Sequence, residues 1–538
     1  MNAGARTRSD GFAALMLAYF YLATGDSTAM PRRPNIVILM VDQLGAGALP
    51  AYGHPVVKSP NIDALAQNGA VFENCYTNFP LCAPARLAFM SGKLCSSIGA
   101  WDNAAQLPQD VPTFAHYLRA QGYRTCLAGK MHFIGADQLH GFEERVTTDI
   151  CPSDFNWTAD WDDPWRTMDW FHSMDNVRGS GIAERSLQQD FDEEVSFFAT
   201  RKLFDWAREP DDRPFLLVSS FTHPHDPYVT PRRFWDLYRD DEIDLPRVPF
   251  IEPDKRDAHS RRLWEQYDRG ELKITEEDIL RARHAYYGSI SYVDERIGEV
   301  MEALKRTNML DNTVVILCAD HGDMLGERGL WYKMSFYDWS SRIPLIMCGP
   351  MVPQGLRVKS NCSLIDILPT LVELAAGSDW DGYPDQPDGH SLLPLLKDED
   401  PDRVAISELF SEGVAAPYIM LRKGRYKFTF VEHDGAQLFD MEADPDELHD
   451  LAGLAEHAEL LASFLEELHA RWNLDELKAD IHNSQRRRRF VYQALATGRV
   501  VPWDFQPRED ASTRYYRGTN SYHDAEARDL LRAPIVKS

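Results

Sequence analysis

The chain lacks any pattern that would fix its fold through covalent or metal cross-links. Its eight cysteines are scattered and form neither a C-x-x-C pair nor a zinc-ligand spacing, so the sequence offers no disulfide framework. Most of them are therefore expected to be small buried hydrophobic residues in a reducing compartment. No internal repeat or low-complexity segment stands out either.

Positive charge is in short supply. The chain has 57 lysines and arginines against 83 aspartates and glutamates, and its formal net charge is -26. Such a balance argues against a nucleic-acid partner and is typical of a soluble acidic enzyme. With 538 residues, of which 44% are hydrophobic, the chain is too long for one ordinary core, and we expect two domains with appendages.

The N-terminal apolar run is short. The stretch "FAALMLAYFYLAT" follows Arg6 and Arg8 and is too short to be a good spanning helix, so we expect no membrane partner. It resembles a signal peptide, and the alternative is an extension upstream of a true start at Met30. Residues 1–32 are therefore interpreted as an extension. We expect a cytoplasmic protein, or a periplasmic one if residues 1–29 are a signal peptide.

What the sequence does contain is a set of short apolar runs, each followed by polar residues. Continuous runs of this kind predict strands buried on both faces, in a parallel sheet covered by helices. Ligands bind outside the carboxyl ends of such strands, so the polar residues there predict a site. The runs are "NIVILMV" before Asp42 and Gln43, "YRTCLA" before Gly129, Lys130 and His132, "FLLVSSF" before His223, and "TVVILCA" before Asp320 and His321.

The second half of the chain divides at turn-rich and charged stretches, "GSDWDGYPDQPDGH" and "KDEDPDR". We predict a catalytic domain over 33–396, a small antiparallel α+β subdomain over 397–475 and a tail over 476–538. The tail is too aromatic to be disordered filler. Its arginine run, Arg486 to Arg489, is more typical of a solvated face or an ion-pair network than of an anion site.

The stretch "CAPARLAFMSGK" begins at Cys82 and predicts a helix, because Pro84 suits a first helical turn. Cys82 would then lie at the positive end of a helix dipole, at a surface helix start, with Arg86 as a fixed cation. This arrangement suits an oxyanion ester and a thiolate of depressed pKa. Taken alone, the cysteine is explained equally well as a buried cap.

The same stretch is similar to the C-x-P-x-R signature of the sulfatases, in the alkaline phosphatase superfamily. The resemblance runs on from Pro34 through "NIVILMVDQLG", "GKMH" and "DHGDMLGERGLWYKMSFYDWSSRIPLI", which contains Lys333. It implies an α/β sulfatase sandwich, with a large mostly parallel sheet flanked by helices, a small C-terminal antiparallel α+β subdomain and an extended tail. It also implies that a formylglycine-generating enzyme oxidises Cys82 to formylglycine, although Ala85 replaces the usual serine.

The resemblance further implies roles for the residues of the site. The hydrated aldehyde of formylglycine would attack sulfur. Arg86, Lys130 and Lys333 would neutralise the developing charge. His223 or Lys333 would protonate the departing alcohol, and His132 would remove a proton from the second hydroxyl of the diol. His225 and Asp226 are interpreted as caps of the loop that follows their strand.

One divalent metal is expected among Asp42, Gln43, Cys82, Asp320 and His321. Typical sulfatases pair Asp-Asp with Asp-Asn around calcium, whereas Asp-Gln with Asp-His resembles choline sulfatases and phosphonate monoester hydrolases. Calcium is the expected ion. Manganese is the alternative, because an imidazole ligand suits it better than it suits calcium.

Further stretches, among them "WDNAAQ", "GKMHFIGADQLHGFEERVTTDI" and "FTHPHDPYV", resemble choline sulfatases in particular. We therefore expect a homo-oligomer, dimer or tetramer, that hydrolyses choline-O-sulfate. The alternatives are a phosphonate or phosphate ester hydrolase on the same site and an inactive binding relative, which the intact catalytic set disfavours. A quaternary ammonium must be held by aromatic faces and carboxylates. Trp157, Asn103 and, from the tail, Asp504 are the candidates.

Overall fold

The computed structural model describes residues 33–151, 154–168, 171–268 and 273–499, and its strands follow the apolar runs of the sequence. Within these residues, no helix combines the length and the apolar character that crossing a bilayer requires. The strands are β1 Asn35–Val41, β2 Gly69–Tyr76, β3 Arg124–Gly129, β4 Glu144–Arg145, β5 Gly181–Ile182, β6 Phe215–Phe221, β7 Val229–Thr230, β8 Thr313–Ala319, β9 Arg342–Ile343, β10 Leu345–Cys348, β11 Leu356–Ser363, β12 Val404–Leu409, β13 Tyr418–Lys423, β14 Tyr426–Val431 and β15 Gly435–Asp440.

The helices lie between these strands and after the last of them. They are α1 Pro60–Gln67, α2 Cys82–Ser91, α3 Cys95–Ile98, α4 Phe114–Ala120, α5 Asp175–Arg178, α6 Leu187–Arg208, α7 Arg232–Trp235, α8 Ala258–Asp268, α9 Glu276–Arg306, α10 Asp338–Ser341, α11 Ile367–Ala376, α12 Ala458–Arg471 and α13 Leu474–Leu495. The helices α4 and α6 pack against β3, and α6 packs against β6 as well. Central strands such as β6 and β8 are buried along their whole length, as strands covered by helices on both faces should be.

A nine-stranded sheet carries the four predicted strand ends. Its order is β11-β2-β10-β8-β1-β6-β3-β4, with β9 paired to β2. β1 runs parallel to both β8 and β6, and β3 runs parallel to β6, whereas β10 is antiparallel to its neighbours. Val41 lies opposite Ala319 on one side and Phe221 on the other, so the strands end level. The predicted α/β architecture with a mostly parallel sheet is confirmed, and the four strand ends meet at one edge.

The smaller antiparallel sheet has the order β12-β13-β14-β15 and is followed by α12 and α13. β12 packs against β11 and β2, which places this sheet beside the larger one. These elements lie where the sequence predicted an α+β subdomain over 397–475, and the boundaries themselves stay predictions. Within the predicted tail, α13 ends at Leu495, and Asp504 lies outside the described residues.

Candidate active site

The helix α2 starts at the carboxyl edge of the large sheet, and Cys82 is its first residue. All ten of its residues are buried, and Cys82 is only 3% exposed. The expectation of a surface helix start is therefore wrong, because the chain folds over this helix on every side except a small cavity. The helix ends at Gly92, whose φ of 65° lies in the left-handed region.

Four potential ligand groups converge in front of Cys82. The ligand atoms of Asp42, Cys82, Asp320 and His321 all lie within 4.8 Å of one another. The Nε2 atom of His321 is 3.2 Å from Sγ of Cys82 and 3.8 Å from Oδ1 of Asp42. Its Nδ1 atom lies 3.0 Å from the carbonyl oxygen of Gly322 and must donate to it, which leaves the Nε2 lone pair directed at the group.

This donor set fits a divalent cation. The Oδ1 atom of Asp42 is buried and has no hydrogen-bond partner within the described part of the chain. A buried carboxylate oxygen without a partner is costly unless an ion satisfies it. Oxygen, nitrogen and sulfur donors at this separation suit one metal ion, and the mixed set does not by itself select calcium over manganese.

Two cations hold these carboxylates from behind. The Nε atom of Arg86 donates to Oδ2 of Asp320 at 2.9 Å, and its Nη2 donates to Oδ2 of Asp42 at 3.2 Å. The Nζ atom of Lys130 lies 2.5 Å from the same Asp42 oxygen. Burial opposes ionisation of Asp42, but Lys130 and Arg86 outweigh it and hold the pKa of this carboxyl below its ordinary value.

The thiol of Cys82 is strongly acidic in these surroundings. Burial alone would raise its pKa, but the ammonium groups of Lys130 and Lys333 and the imidazole of His321 hold it well below the ordinary range. The same field would stabilise any anion that forms at this position. The site is therefore built to accumulate negative charge at residue 82.

Lys333 reaches the site from the loop after β8. Its Nζ atom donates to Oε1 of Gln43 at 2.5 Å and lies 2.8 Å from Nε2 of His225. The amide nitrogen of Gln43 donates to Asp323 at 2.7 Å. Gln43 thus uses its side chain to hold Lys333 in this structure, and its assignment as a metal ligand stays a prediction.

The backbone is strained at several of these positions. Gln43 and His132 have φ angles of 62° and 60°, and Tyr332 and Met334, on either side of Lys333, have 64° and 63°. A residue other than glycine in this region costs about 1–3 kcal/mol. Such strain persists only where the surrounding structure enforces it, which marks these residues as placed for their side chains rather than for local stability.

The segment after β3 is held by a buried carboxylate that sequence reasoning missed. The Oδ2 atom of Asp149 accepts from the backbone N–H of Met131 at 3.0 Å and of His132 at 2.7 Å. Gly129 allows the end of β3 to lie close to β6, since a Cβ atom at this position would be 2.0 Å from the carbonyl oxygen of Ser220. Asp149 is the penultimate residue of the quoted stretch "GKMHFIGADQLHGFEERVTTDI", but nothing in that stretch marked it as the carboxylate that holds Met131 and His132.

Of the two histidines after β6, His225 is the one that lines the cavity. Its Nδ1 atom is 2.7 Å from the backbone oxygen of Asp226, and its Nε2 faces Lys333. His223 instead places Nδ1 2.7 Å from Oδ2 of Asp192 and packs its ring on Tyr292 at 4.6 Å. The interpretation of His225 as a loop cap is incomplete, because the same side chain also contacts a catalytic candidate.

His225 is biased towards its protonated form. Burial and the Lys333 ammonium lower its pKa, but the carboxylates of Asp226 and Asp42 outweigh them, and the net shift is upward. Asp226 in turn accepts a hydrogen bond from Asn176 at 2.6 Å and lies 3.4 Å from Nδ1 of His172. The carboxylate is therefore fixed in place between two imidazoles.

The cavity in front of Cys82 has a volume of about 90 Å³, and its lining residues form two chemically different sets, called walls here for their chemistry. One carries the reactive candidates and the other carries aromatic rings and one carboxylate. The first wall contains Cys82, Lys130, His132, His225 and Lys333, and the second contains Asn103, Trp157, Phe171, His172, Tyr267 and Glu412.

The predicted binding residues Asn103 and Trp157 do lie on the second wall. Oδ1 of Asn103 accepts from the backbone N–H of Ala83 at 2.9 Å, and the Trp157 ring meets His132 edge-on at 5.8 Å. Phe171, Tyr267 and Glu412 were missed, because Phe171 and Glu412 lie in separate loops and Tyr267 lies near the end of α8, with no motif around any of them. Burial raises the pKa of Glu412 to about 7.

Comparison with known proteins identifies the family of the chain. Residues 34–378 match the family model described as Sulfatase. The chain belongs to the sulfatase family. This sulfatase is accordingly a sulfuric ester hydrolase. Its residues 326–473 match the model described as N-sulphoglucosamine sulphohydrolase, C-terminal, and residues 479–529 match the one described as choline sulfatase enzyme C terminal.

Curated relatives span most of the chain. The sulfatase is 46% identical over 493 residues to a choline-sulfatase of Rhizobium meliloti (strain 1021), covering 90% of this chain and 96% of the relative. It is 29% identical to arylsulfatase K of Homo sapiens, covering 87% and 88% of the two chains. The similarity therefore extends through the large sheet and the C-terminal elements alike.

Solved structures share the fold. A phosphonate monoester hydrolase of Agrobacterium radiobacter superposes with a TM-score of 0.66 at 24% identity, over 84% of this chain and 96% of that one. A protein in complex with its substrate D-glucosamine-2-N,6-O-disulfate superposes with a TM-score of 0.65 at 23% identity, over 83% and 98%. At these identities the likeness concerns the architecture alone.

Proposed function

We propose that this sulfatase hydrolyses choline-O-sulfate to choline and sulfate. The observation that carries the proposal is that one cavity is lined both by cationic groups that suit a sulfate ester and by aromatic rings with the carboxyl group of Glu412. A quaternary ammonium has no N–H to donate and is bound by such rings and by negative charge. The 46% identity to a choline-sulfatase supports the same substrate.

The nucleophile belongs to residue 82. We propose that Cys82 is oxidised to formylglycine by a formylglycine-generating enzyme, and that the hydrate of this aldehyde attacks sulfur. Asp42, Asp320 and His321, with residue 82 and Gln43, would hold one divalent cation, calcium or alternatively manganese. When bound, the cation would polarise the ester and favour the ionised nucleophile.

Three cations of the chain neutralise the sulfuryl oxygens as charge develops. Arg86 and Lys130 contact the carboxylates behind the site, and Lys333 approaches from the opposite loop. Fixed charges in a water-poor cavity stabilise a transition state more than mobile solvent does, because they need no reorganisation. All three side chains are buried, which strengthens their effect.

The leaving alcohol receives its proton from the pair formed by His225 and Lys333. Choline is a poor leaving group unless it is protonated as it departs, since an alkoxide is strongly basic. His225 lines the cavity, contacts Lys333 and has a raised pKa, so it suits this step better than His223 does. In the second step His132 would take a proton from the remaining hydroxyl, which expels sulfate.

The small cavity also bears on substrate size. A cavity of about 90 Å³ lies below the roughly 300–1,000 Å³ of ordinary ligand pockets, which disfavours a bulky sulfated polysaccharide. A phosphonate or phosphate ester hydrolase is the alternative, because the same cations and metal ligands would accept a phosphoryl group. That alternative leaves the aromatic and carboxylate wall without a purpose. The resemblance also implies a dimer or tetramer, which we propose for this chain.

The experiment compares kcat/KM on four esters. They are choline sulfate, its uncharged carbon analogue 3,3-dimethylbutyl sulfate, 4-nitrophenyl sulfate and a 4-nitrophenyl phosphonate monoester. We expect choline sulfate to exceed its carbon analogue by at least tenfold, which corresponds to about 1.4 kcal/mol of recognition of the charge. Equal values for the two alkyl esters, or a preference for the phosphonate, would contradict the proposal.

A further inference from the structure

The arginine run of the C-terminal helix α13 is an ion-pair network, as the sequence suggested. Arg486 pairs with Asp162, Arg488 with Asp102 and Arg489 with Asp160. In the same helix, Oε1 of Gln485 accepts from the backbone N–H of Trp161 at 2.9 Å. Every one of these contacts is made to the segment that follows Trp157 or to the loop that contains Asn103.

The pair between Arg488 and Asp102 is the buried member of this network. The guanidinium binds the carboxylate through two hydrogen bonds, Nη1 to Oδ1 at 2.5 Å and Nη2 to Oδ2 at 2.9 Å. The Asp102 side chain is fully buried and that of Arg488 is 10% exposed. Nη1 of Arg488 also lies 3.4 Å from Oγ1 of Thr158, the residue directly after Trp157. Such a two-bonded pair fixes orientation as well as distance.

Asp102 joins the two parts of the binding wall. Its Oδ1 accepts from the backbone N–H of Ala104 at 3.0 Å, and its Oδ2 accepts from that of Ala159 at 3.2 Å. Asn103 lies between Asp102 and Ala104 in the sequence, and Trp157 lies two residues before Ala159. Both Asn103 and Trp157 line the cavity. One carboxylate therefore ties the polar and the aromatic part of the wall together, and Arg488 holds that carboxylate.

We infer that α13, acting through Arg488 and Asp102, positions the cavity wall that selects the cationic end of the substrate. The inference rests on the proposed function, since it concerns the ammonium subsite of the same cavity. Arg488 is a positioning residue and touches no reacting atom. The C-terminal helix would then determine specificity, whereas the ends of the sheet strands determine reactivity.

The contacts of the two lysines keep the roles apart, and the edge-on contact of Trp157 with His132 is where they meet. Lys130 is held by Asp42, and Lys333 by Gln43 and His225, in contacts that involve no residue of α13 among those described. A cation–π contact, by contrast, requires the ring within about 6 Å of the charge. Removing Arg488 leaves the Asp102 carboxylate buried without its partner, and the chain around it must rearrange. Binding of the ammonium should suffer first.

The test compares Arg488→Gln and Arg488→Lys with the matched control Arg487→Gln. Arg487 is the exposed neighbour in the same run, and no ion pair links it to another described residue. Choline sulfate and 3,3-dimethylbutyl sulfate serve as the substrates. We expect R488Q to raise KM for choline sulfate at least tenfold with kcat within threefold. For the carbon analogue, kcat/KM should stay within threefold.

Two further results sharpen the comparison. R488K keeps the positive charge but loses the planar guanidinium that forms two hydrogen bonds, so it should recover part of the affinity for choline sulfate. R487Q should match the wild-type protein. If R488Q does not fold, as its Tm will show, R489Q carries the same test through Asp160, next to Ala159. Its KM for choline sulfate should then rise about threefold, with the carbon analogue unaffected.

Failure of the inference is separable from failure of the proposed function. If the wild-type protein does not prefer choline sulfate over its carbon analogue, the proposed function is wrong whatever the variants show. If it does, and the variants lose both substrates equally or neither, the C-terminal helix is not a specificity device. Activities are normalised to the modified fraction of residue 82 from peptide mass spectra, so that incomplete oxidation is not mistaken for either result.

Discussion

The Nζ atom of Lys333 lies 2.8 Å from the Nε2 atom of His225. At this distance one of the two groups donates a hydrogen bond to the other, so the pair holds a proton directly at the cavity. Burial and the Lys333 ammonium lower the pKa of His225, but the carboxylates of Asp226 and Asp42 outweigh them, and the net upward shift favours the protonated imidazole. A site of this kind is suited to protonating a basic leaving group.

Replacing His225 by asparagine should therefore slow the turnover of choline sulfate by about 10²–10⁴-fold, the usual contribution of a general acid. Turnover of 4-nitrophenyl sulfate should fall less than tenfold, because nitrophenolate departs without a proton. Steady-state kcat on both esters provides the measurement. His223→Asn is the informative comparison, and a larger loss in that variant than in H225N would assign the acid role to His223.

Cys82→Ala should abolish turnover, because it removes the atom from which the nucleophile is made. Since Cys82 lines a cavity, the loss of its sulfur should leave Tm within a few degrees of the unmodified value. Cys82→Ser should accumulate a sulfated enzyme, as a serine ester lacks the second hydroxyl needed to expel sulfate. Intact-protein mass spectrometry detects the added sulfuryl group, and substantial activity in C82A would refute the mechanism.

One divalent ion per chain should copurify with active protein. Chelation should remove activity. It should also lower Tm, because an ion held by Asp42 and Asp320 stabilises the folded chain, even though Arg86 and Lys130 still pair with these carboxylates. Elemental analysis gives the stoichiometry, and reloading with calcium or manganese shows which ion restores turnover. Active protein without metal would disprove the site, and two ions per chain would favour a phosphatase-like centre.

The carboxylate of Glu412 should make recognition of a cationic substrate depend on pH. Burial raises its pKa to about 7, so the group is neutral below this pH and negative above it. We expect kcat/KM for choline sulfate to rise as pH increases through about 7, relative to the uncharged carbon analogue. Glu412→Gln should raise KM for choline sulfate by about tenfold, or roughly 1.4 kcal/mol, and remove this difference. A pH profile that is the same for both esters would exclude Glu412 from the ammonium subsite.

The strand ends were predictable because their chemistry is local in the sequence. Asp42 and Asp320 each follow an apolar run directly, His132 follows one after the short link from Gly129 to Met131, and a parallel sheet brings such ends to one edge whatever the connections between the strands. The start of α2 at Cys82 was predictable for a similar reason, since Pro84 favours a first turn. Its burial was not, because burial depends on what packs over the helix.

The substrate wall was only half predictable. Asn103 and Trp157 belong to stretches that resemble choline sulfatases, whereas Tyr267, in α8, and Glu412, in a loop, lie in stretches without any motif. The choice between His223 and His225 was equally beyond the sequence. The two histidines are two residues apart after the same strand, but their side chains lie in different surroundings. His223 contacts Asp192 and His225 contacts Lys333, and only these contacts show which ring lines the cavity.

The link between Arg488 and Asp102 joins residues 386 positions apart, which has a consequence for the order of assembly during synthesis. The groups that carry the reaction are all present once Lys333 has left the ribosome. The wall that includes Trp157 and Asn103 must wait for a helix about 150 residues later, or roughly 10–30 s at ordinary rates of translation. For that interval the nascent chain carries every residue of the reactive centre but not yet the arginine that ties Asn103 and Trp157 together.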